Sequence, residues 1–236
     1  MHGADTPLWV WVFISVAMVP AILSVALTMI LDARRPRAAG SLHRDDFAVE
    51  LWGGEWYRAP RADVIVVPVA TDMQMYTPVA KWVRDATAYE IQHQANRVAP
   101  MRPGDAYIGT GGKYRFKMTA LAVVMDDQKR TTGDWIAAGI ERAIRLAAEH
   151  GAQTAVVPDM TEDLLRHPHT ITSEQRRQTA EVVAPAILQG ILNAGDVVDE
   201  VKIWAWKPEN REVYAREMER LEAVESGRSL ASPDPA

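Results

Sequence analysis

The ten residues Asp63-Val-Ile-Val-Val-Pro-Val-Ala-Thr-Asp72 decide the fold. Val64 to Val69 is unbroken apolar sequence dominated by β-branched side chains, and it is too short for a helix. Such a run suits a strand covered on both faces, as in the middle of a parallel sheet. It then ends abruptly in Ala70, Thr71 and Asp72. A strand built for an interior that stops on a hydroxyl and a carboxylate brings polar groups to the edge of the core. In open α/β sheets that edge, beyond the carboxyl ends of the strands, is where ligands bind.

The flanking sequence alternates between strand and helix patterns. Phe47 to Trp52, FAVELW, has a period of two and stops at Gly53-Gly54, which predicts a strand with one wet face. A helix is expected after Pro78, with Val79, Trp82, Val83, Ala86 and Tyr89 along one stripe. Ala106 to Ile108 and Thr119 to Met125 read as strands separated by the turn-rich GTGGKYRFKM. A helix follows from Gly133 to Glu149, with Ile136, Ile140, Ala143, Ile144 and Ala147 inward and Gly151 as its stop. Thr154 to Pro158 is another buried strand. Ser173 to Leu192 is helical but carries Pro185, where it must kink or divide. Glu200 to Trp206 alternates as a strand, and a charged helix from Pro208 to about Val224 closes the domain. The alternation predicts one three-layer α/β/α domain over residues 47–225, with a mainly parallel sheet. Its cleft is expected at Ala70-Thr71-Asp72 and Asp159-Met160-Thr161.

The chain has 236 residues, 48% of them hydrophobic, enough for one sizeable core and an appendage. A net charge of -5 argues against a general nucleic-acid binder, which carries a basic face. The absence of cysteine excludes disulfides, zinc-thiolate sites and thiol nucleophiles. Pro7 to Leu31 holds no charge, and about 20 apolar residues suffice to cross a bilayer. Pro20 is tolerated in a membrane span, and Trp9 and Trp11 suit the headgroup region. A cleaved signal peptide would want a basic residue ahead of a shorter apolar run, and none precedes this one. Arg34, Arg35, Arg37 and Arg44 follow it instead. The expectation is a retained single-pass anchor over residues 1–31, with the amino terminus outside and the rest cytoplasmic. Residues 32–46 then read as a linker, and residues 226–236 as a disordered tail.

In its order of pieces the chain resembles a macro domain, the fold that binds ADP-ribose and related nucleotides, from roughly Phe47 to Val224. LWGGEW resembles the family's Leu-x-x-Gly-Asp-Ile, and DVIVVPVAT its Asp-x-Ile-Val-Asn-x-Ala-Asn strand. GDAYIGTGGKYRFKMTALAVV resembles its Gly-x-x-x-x-Thr strand, glycine turn and next buried strand. IERAIRLAAEHGAQTAVVPDMT resembles its helix, glycine turn and Ala-x-Pro-x-Ser/Thr strand end. The resemblance implies a macro-like mixed sheet and a nucleotide-type ligand, with no separate cofactor. It places Glu55 where the family's acidic residue accepts a hydrogen bond from the adenine amino group. Thr71 stands where catalytic members carry the asparagine that orients the distal ribose. The family's triple-glycine loop is replaced by DMQMYTP, which lacks glycine's close backbone approach. The second phosphate loop, glycine-rich in the family, reads TEDLLRHPHT after Thr161. Glu162 and Asp163 there occupy a place where a diphosphate wants N–H donors. The departures fall on the chemistry and favour binding over hydrolysis.

The expected ligand-binding residues are Glu55, Trp56, Thr71, Asp72, Gly111, Gly112, Asp159 and Thr161, with Asp72 the best candidate for a catalytic group. Each has a bland rival. Glu55 is an adenine acceptor or an exposed turn carboxylate. Thr71 and Asp72 contact a ribose or position a water, or they simply cap a strand. Gly109-Thr110-Gly111-Gly112, beside Lys113 and Arg115, cradles a phosphate or just makes a turn. Trp56 stacks on a base or packs at a rim, as do Trp52, Trp204 and Trp206. Asp126-Asp127 binds a cation with Asp72 or is a solvated loop. His167 and His169 lack further ligands for a metal, so no metal is expected. The last helix presents a solvated charged face, with Val213, Met218 and Leu221 inward, or a site for a protein partner. Three functions compete: a membrane-held module for ADP-ribose or another NAD-derived nucleotide, a hydrolase of an ADP-ribosyl bond, and a scaffold that has lost its ligand.

Overall fold

A computed structural model of the chain describes residues 38–44, 47–55, 58–111, 115–165 and 171–226. Its strands are β1 (Ala38–Arg44), β2 (Phe47–Trp52), β3 (Val64–Ala70), β4 (Ala106–Thr110), β5 (Met118–Met125), β6 (Thr154–Pro158) and β7 (Glu200–Trp204). They form one sheet in the order β1-β2-β7-β6-β3-β5-β4. The five inner strands are parallel, and the edge strands β1 and β4 run antiparallel to their neighbours. β3 lies between β6 and β5, and every one of its residues is buried. Its unbroken apolar run has this cause: neither face meets water.

Alternate β3 side chains feed two cores. Val64 and Val66 pack in one with helices α3 (Gly133–Glu149), α4 (Ser173–Ala194) and α5 (Pro208–Glu225). Ile65, Val67 and Val69 pack in the other with α1 (Pro78–Ala86) and α2 (Glu90–Ala95). The result is a three-layer, mixed-sheet α/β fold. Its helices begin where the sequence offers caps: the Thr77, Thr132 and Thr172 hydroxyls each accept a backbone N–H from the first turn. At Gly190 a Cβ would lie 2.5 Å from the Ala137 carbonyl oxygen, so glycine is what lets α4 approach α3.

The structure departs from the sequence reading at four places. Residues 38–44, expected to be linker, form β1 and pair with β2. Only Leu42 in that strand is a large buried apolar residue, so backbone pairing makes the strand without any apolar period. The stripe expected to reach Tyr89 ends at Ala86. Ala88 and Tyr89 take positive φ, and Tyr89 is exposed. The short helix α2 follows, unanticipated. Finally, α4 runs undivided through Pro185, its inward face buried both before and after the proline.

No helix among the described residues is long and apolar enough to cross a membrane. Residues 7–31, expected to be the anchor, and the tail from 227 onward lie outside the described residues.

Candidate functional site

Loops leave the carboxyl ends of β3, β5 and β6 side by side and enclose a cleft of ≈ 440 Å³. Ala70 and Met125, the last residues of their strands, form its floor. Gln74, Tyr76 and Thr77 line it from the first loop, Gln128 and Lys129 from the second, and Glu162 to Leu165 from the third. The cleft therefore sits where an interior strand gives way to polar sequence.

Asp126 builds the second loop. Its carboxylate accepts from the Gln128 N–H at 2.9 Å, the Arg130 N–H at 2.8 Å and the Arg130 guanidinium at 2.7 Å. Desolvation opposes ionisation, but these donors prevail and hold the carboxyl below its ordinary range. The turn puts Lys129 at φ 62°. Its ammonium lies 3.4 Å from Asp72 Oδ2 and 5.1 Å from the centre of the Tyr76 ring. Asp72 also accepts the Gln74 N–H at 3.1 Å, which shapes the first loop. A cation and an aromatic face thus stand together in the cleft.

Three neighbouring carboxylates have three different fates. Asp159 is fully buried and accepts from the Thr161 N–H (3.1 Å), the Thr161 hydroxyl (2.6 Å), the Asn210 amide (2.6 Å) and the Tyr214 hydroxyl (3.1 Å). Burial pushes its carboxyl up against the pull of these donors. The network ties the end of β6 to α5. Glu162 meets the Arg176 guanidinium at 3.1 Å and the Lys207 ammonium at 3.7 Å. Asp163 is only 8% exposed, and among the described residues it has no ion pair. Its Oδ1 accepts the Val79 N–H at 3.4 Å, at the amino terminus of α1, while its Oδ2 is buried without a partner. Burial above all pushes the Asp163 carboxyl up to about 7, against the pull of the Thr77 hydroxyl and the Val79 N–H and with smaller help from the charges of Asp159 and Glu162.

The residues singled out from sequence scatter over this map. Thr71 and Asp72 stand half-buried at the end of β3, beside the cleft. Asp159 and Thr161 lie beneath the third loop, buried and bonded to each other. Glu55 is exposed and paired with Arg58 at 3.2 Å. It leaves the same edge of the sheet as Thr71, but β2 stands three strands from β3, about 14 Å away. Gly111 corrects the sequence reading. β4 runs antiparallel, so Thr110 pairs with Met118 at the amino end of β5. The glycine turn is therefore at the opposite edge, about 23 Å from Met125. Its job there is packing, for a Cβ on Gly111 would lie against the Phe116 carbonyl. Trp56, Gly112, Lys113, His167 and His169 lie outside the described residues. No cluster able to hold a metal occurs among the described residues, so Asp126 and Asp72 do not converge on a cation.

Sequence reasoning missed Lys129, Tyr76, Asn210 and Tyr214. Asn210 and Tyr214 share the inward face of α5 with Val213 and Met218, and that spacing was a usable signal. Trp204 packs between Trp82 of α1 and Trp206, with ring centres 5.7 and 5.2 Å away and both pairs of rings tilted.

The same architecture occurs in solved structures. An Oceanobacillus iheyensis macrodomain with ADP superposes with a TM-score of 0.61 over 78% of this chain and 97% of its own, at 14% identity. The fold is that of a macrodomain. A Trypanosoma brucei macrodomain in complex with ADP matches with a TM-score of 0.54, at 11% identity, over 71% of this chain and 67% of its own. The macro domain of ganglioside induced differentiation associated protein 2 matches with a TM-score of 0.55, at 14% identity, over 84% and 93%. No protein-family model matches the chain, and no curated protein matches it significantly. The likeness to macrodomains is one of fold.

Proposed function

We propose that this macrodomain fold is a binding module for ADP-ribose or a related NAD-derived nucleotide, held at the cytoplasmic face of a membrane by residues 7–31. The observation that carries the reading is the ≈ 440 Å³ cleft at the carboxyl edge of β3, β5 and β6, in a fold whose solved relatives include macrodomains with ADP. Its volume falls in the range of small-molecule sites. Lys129 supplies a cation for a phosphate and Tyr76 a ring face, while Thr71 and Asp72 stand ready for a ribose. Glu55 belongs to the base only if the ligand spans the carboxyl edge from β3 to β2. Hydrolysis is the weaker reading, because Thr71 carries no amide to orient a ribose.

Titration calorimetry of the full chain with ADP-ribose tests the ligand. Heat that saturates, together with a thermal shift, supports it; neither at millimolar ligand removes it. The anchor is tested separately, using the absence of native cysteine. Single cysteines at Gly3 and Ser41 should react with an impermeant reagent from opposite sides of the membrane, and equal labelling from one side refutes the orientation.

A further inference from the structure

We propose that Asp163 decides what enters the cleft at the amino terminus of α1: ionised, it takes a hydrogen-bond donor and turns phosphate away, so a phosphate-bearing ligand enters only together with a proton. The identity of the ligand rests on the nucleotide reading above, but the chemistry of the subsite does not.

The amino end of a helix offers unpaired N–H groups and a positive dipole, which suit an anion. α1 has nine residues and no acidic residue in its first turn. Thr77 takes the Ala80 N–H, and the Val79 N–H goes to Asp163, 84 residues away in the chain. The anion that this helix end calls for is thus already present as a side chain. Asp163 also lines the cleft, and its Oδ2 has no partner. The charged groups around it do not cancel it. Asp159 precedes it on the same loop, held by Asn210 and Tyr214 from α5. Glu162 is taken by Arg176 from α4 and by Lys207, and Arg176 also reaches Glu209 on α5 at 3.5 Å. Across the cleft, Lys129 is engaged with Asp72.

A phosphate placed here while Asp163 is ionised puts like charges together in a poorly solvated place, and one of them must take a proton. The carboxyl titrates near neutrality, so that proton is within reach. Protonated Asp163 loses its charge and gains an O–H, a donor for a phosphate oxygen, while its carbonyl oxygen still accepts the Val79 N–H. Ionised Asp163 instead suits a donor such as a ribose hydroxyl or an amide N–H.

The full chain and its Asp163→Asn variant, neutral and of the same shape, are titrated with ADP-ribose at pH 5.5 and 8.5. The ligand keeps its charge over this range, and two buffers of different ionisation heat count the protons. Wild-type affinity should fall about 30-fold from pH 5.5 to 8.5 for a carboxyl titrating near 7, with close to one proton taken up per ligand at pH 8.5. Asp163→Asn should hold the low-pH affinity throughout and take up none. Equal wild-type affinity at both pH values overturns the proposal, as does a slope that persists in Asp163→Asn. A second probe removes the nucleotide. Inorganic sulfate should shift the Val79 amide resonance of the wild type at pH 5.5 only, and of Asp163→Asn at both. If ADP-ribose binds neither protein while sulfate shows this pattern, the nucleotide reading fails and the subsite stands. Sulfate acting on wild type and variant alike, or on neither, overturns the subsite.

Discussion

Replacing Asp163 by asparagine should stabilise the protein in alkali and hardly at all in acid. The folded carboxyl titrates at about 7, against an ordinary 3.8. Below about pH 4 the group is protonated in both folded and unfolded chains, and it adds no strain. Above about pH 7 it is ionised in both, and the folded state then carries the full burden of a buried, unpaired charge. At ~1.4 kcal/mol per tenfold change in proton affinity, the rise from 3.8 to about 7 makes that burden about 4 kcal/mol. Between pH 4.5 and 8.5 the part that develops is about 3 kcal/mol, because the unfolded chain already ionises near pH 4. At 8% exposure, solvent screens little of it. The asparagine keeps an acceptor for the Val79 N–H but leaves an amide N–H unpaired at the Oδ2 position. That costs about 1–3 kcal/mol at every pH, and the O–H of the protonated acid suffers a similar loss. Urea unfolding followed by tryptophan fluorescence should therefore put the variant about 1 kcal/mol ahead at pH 4.5 and about 4 kcal/mol ahead at pH 8.5. The other carboxylates titrate in both proteins and cancel from the difference. A gap that stays within 1 kcal/mol from pH 4.5 to 8.5 would refute the account of Asp163 as a buried, uncompensated charge.

Three further outcomes are expected. Tyr214→Phe keeps the buried ring but removes one hydrogen bond to the buried Asp159 carboxyl, and should lose about 1–2 kcal/mol, read as a fall in Tm of about 2–8 °C. An unchanged Tm would mean that the Asp159 network does not hold α5 to the sheet. Gly190→Ala should lose about 1–3 kcal/mol despite alanine's better helix propensity, since its methyl meets the Ala137 carbonyl; a gain in urea midpoint would show that α3 and α4 separate freely. Lys129→Ala should weaken ADP-ribose several-fold and flatten the salt dependence of binding without moving Tm by more than about 2 °C, and equal affinities at low salt would take Lys129 out of the site.

The sheet and the long helices are legible in the sequence because burial writes itself into apolar spacing. Val64 to Val69 needs two covered faces, and Ile136 to Ala147 needs one. β1 escaped because its pairing with β2 is backbone to backbone, and AAGSLHR shows no period. The glycine turn reads equally as a phosphate cradle or a plain turn, because glycines mark where a backbone comes close to something, without saying what. Here the thing approached is the chain itself, at Phe116. Strand direction, which local sequence does not record, decides that Gly111 and Thr71 stand at opposite edges.

Glu162 and Asp163 show why the site itself was harder to read than its location. They are adjacent, alike in charge, and indistinguishable as a motif. What separates them is a register set far away: the cap at Thr172 starts α4 so that Arg176, four residues on, meets Glu162. Lys207, just ahead of α5, supports the same carboxylate from the other side. Asp163, one residue later, faces α1 instead, where only N–H groups and a hydroxyl await it. One carboxylate is thereby held in ion pairs, and the other meets no cation among the described residues. If Arg176 were lost, the distinction should narrow: Glu162 would keep only Lys207, and Asp163, beside a less compensated acid, would titrate higher still. Arg176→Met should then raise the midpoint at which the Val79 amide reports Asp163, and an unmoved midpoint would show that the two acids do not sense each other.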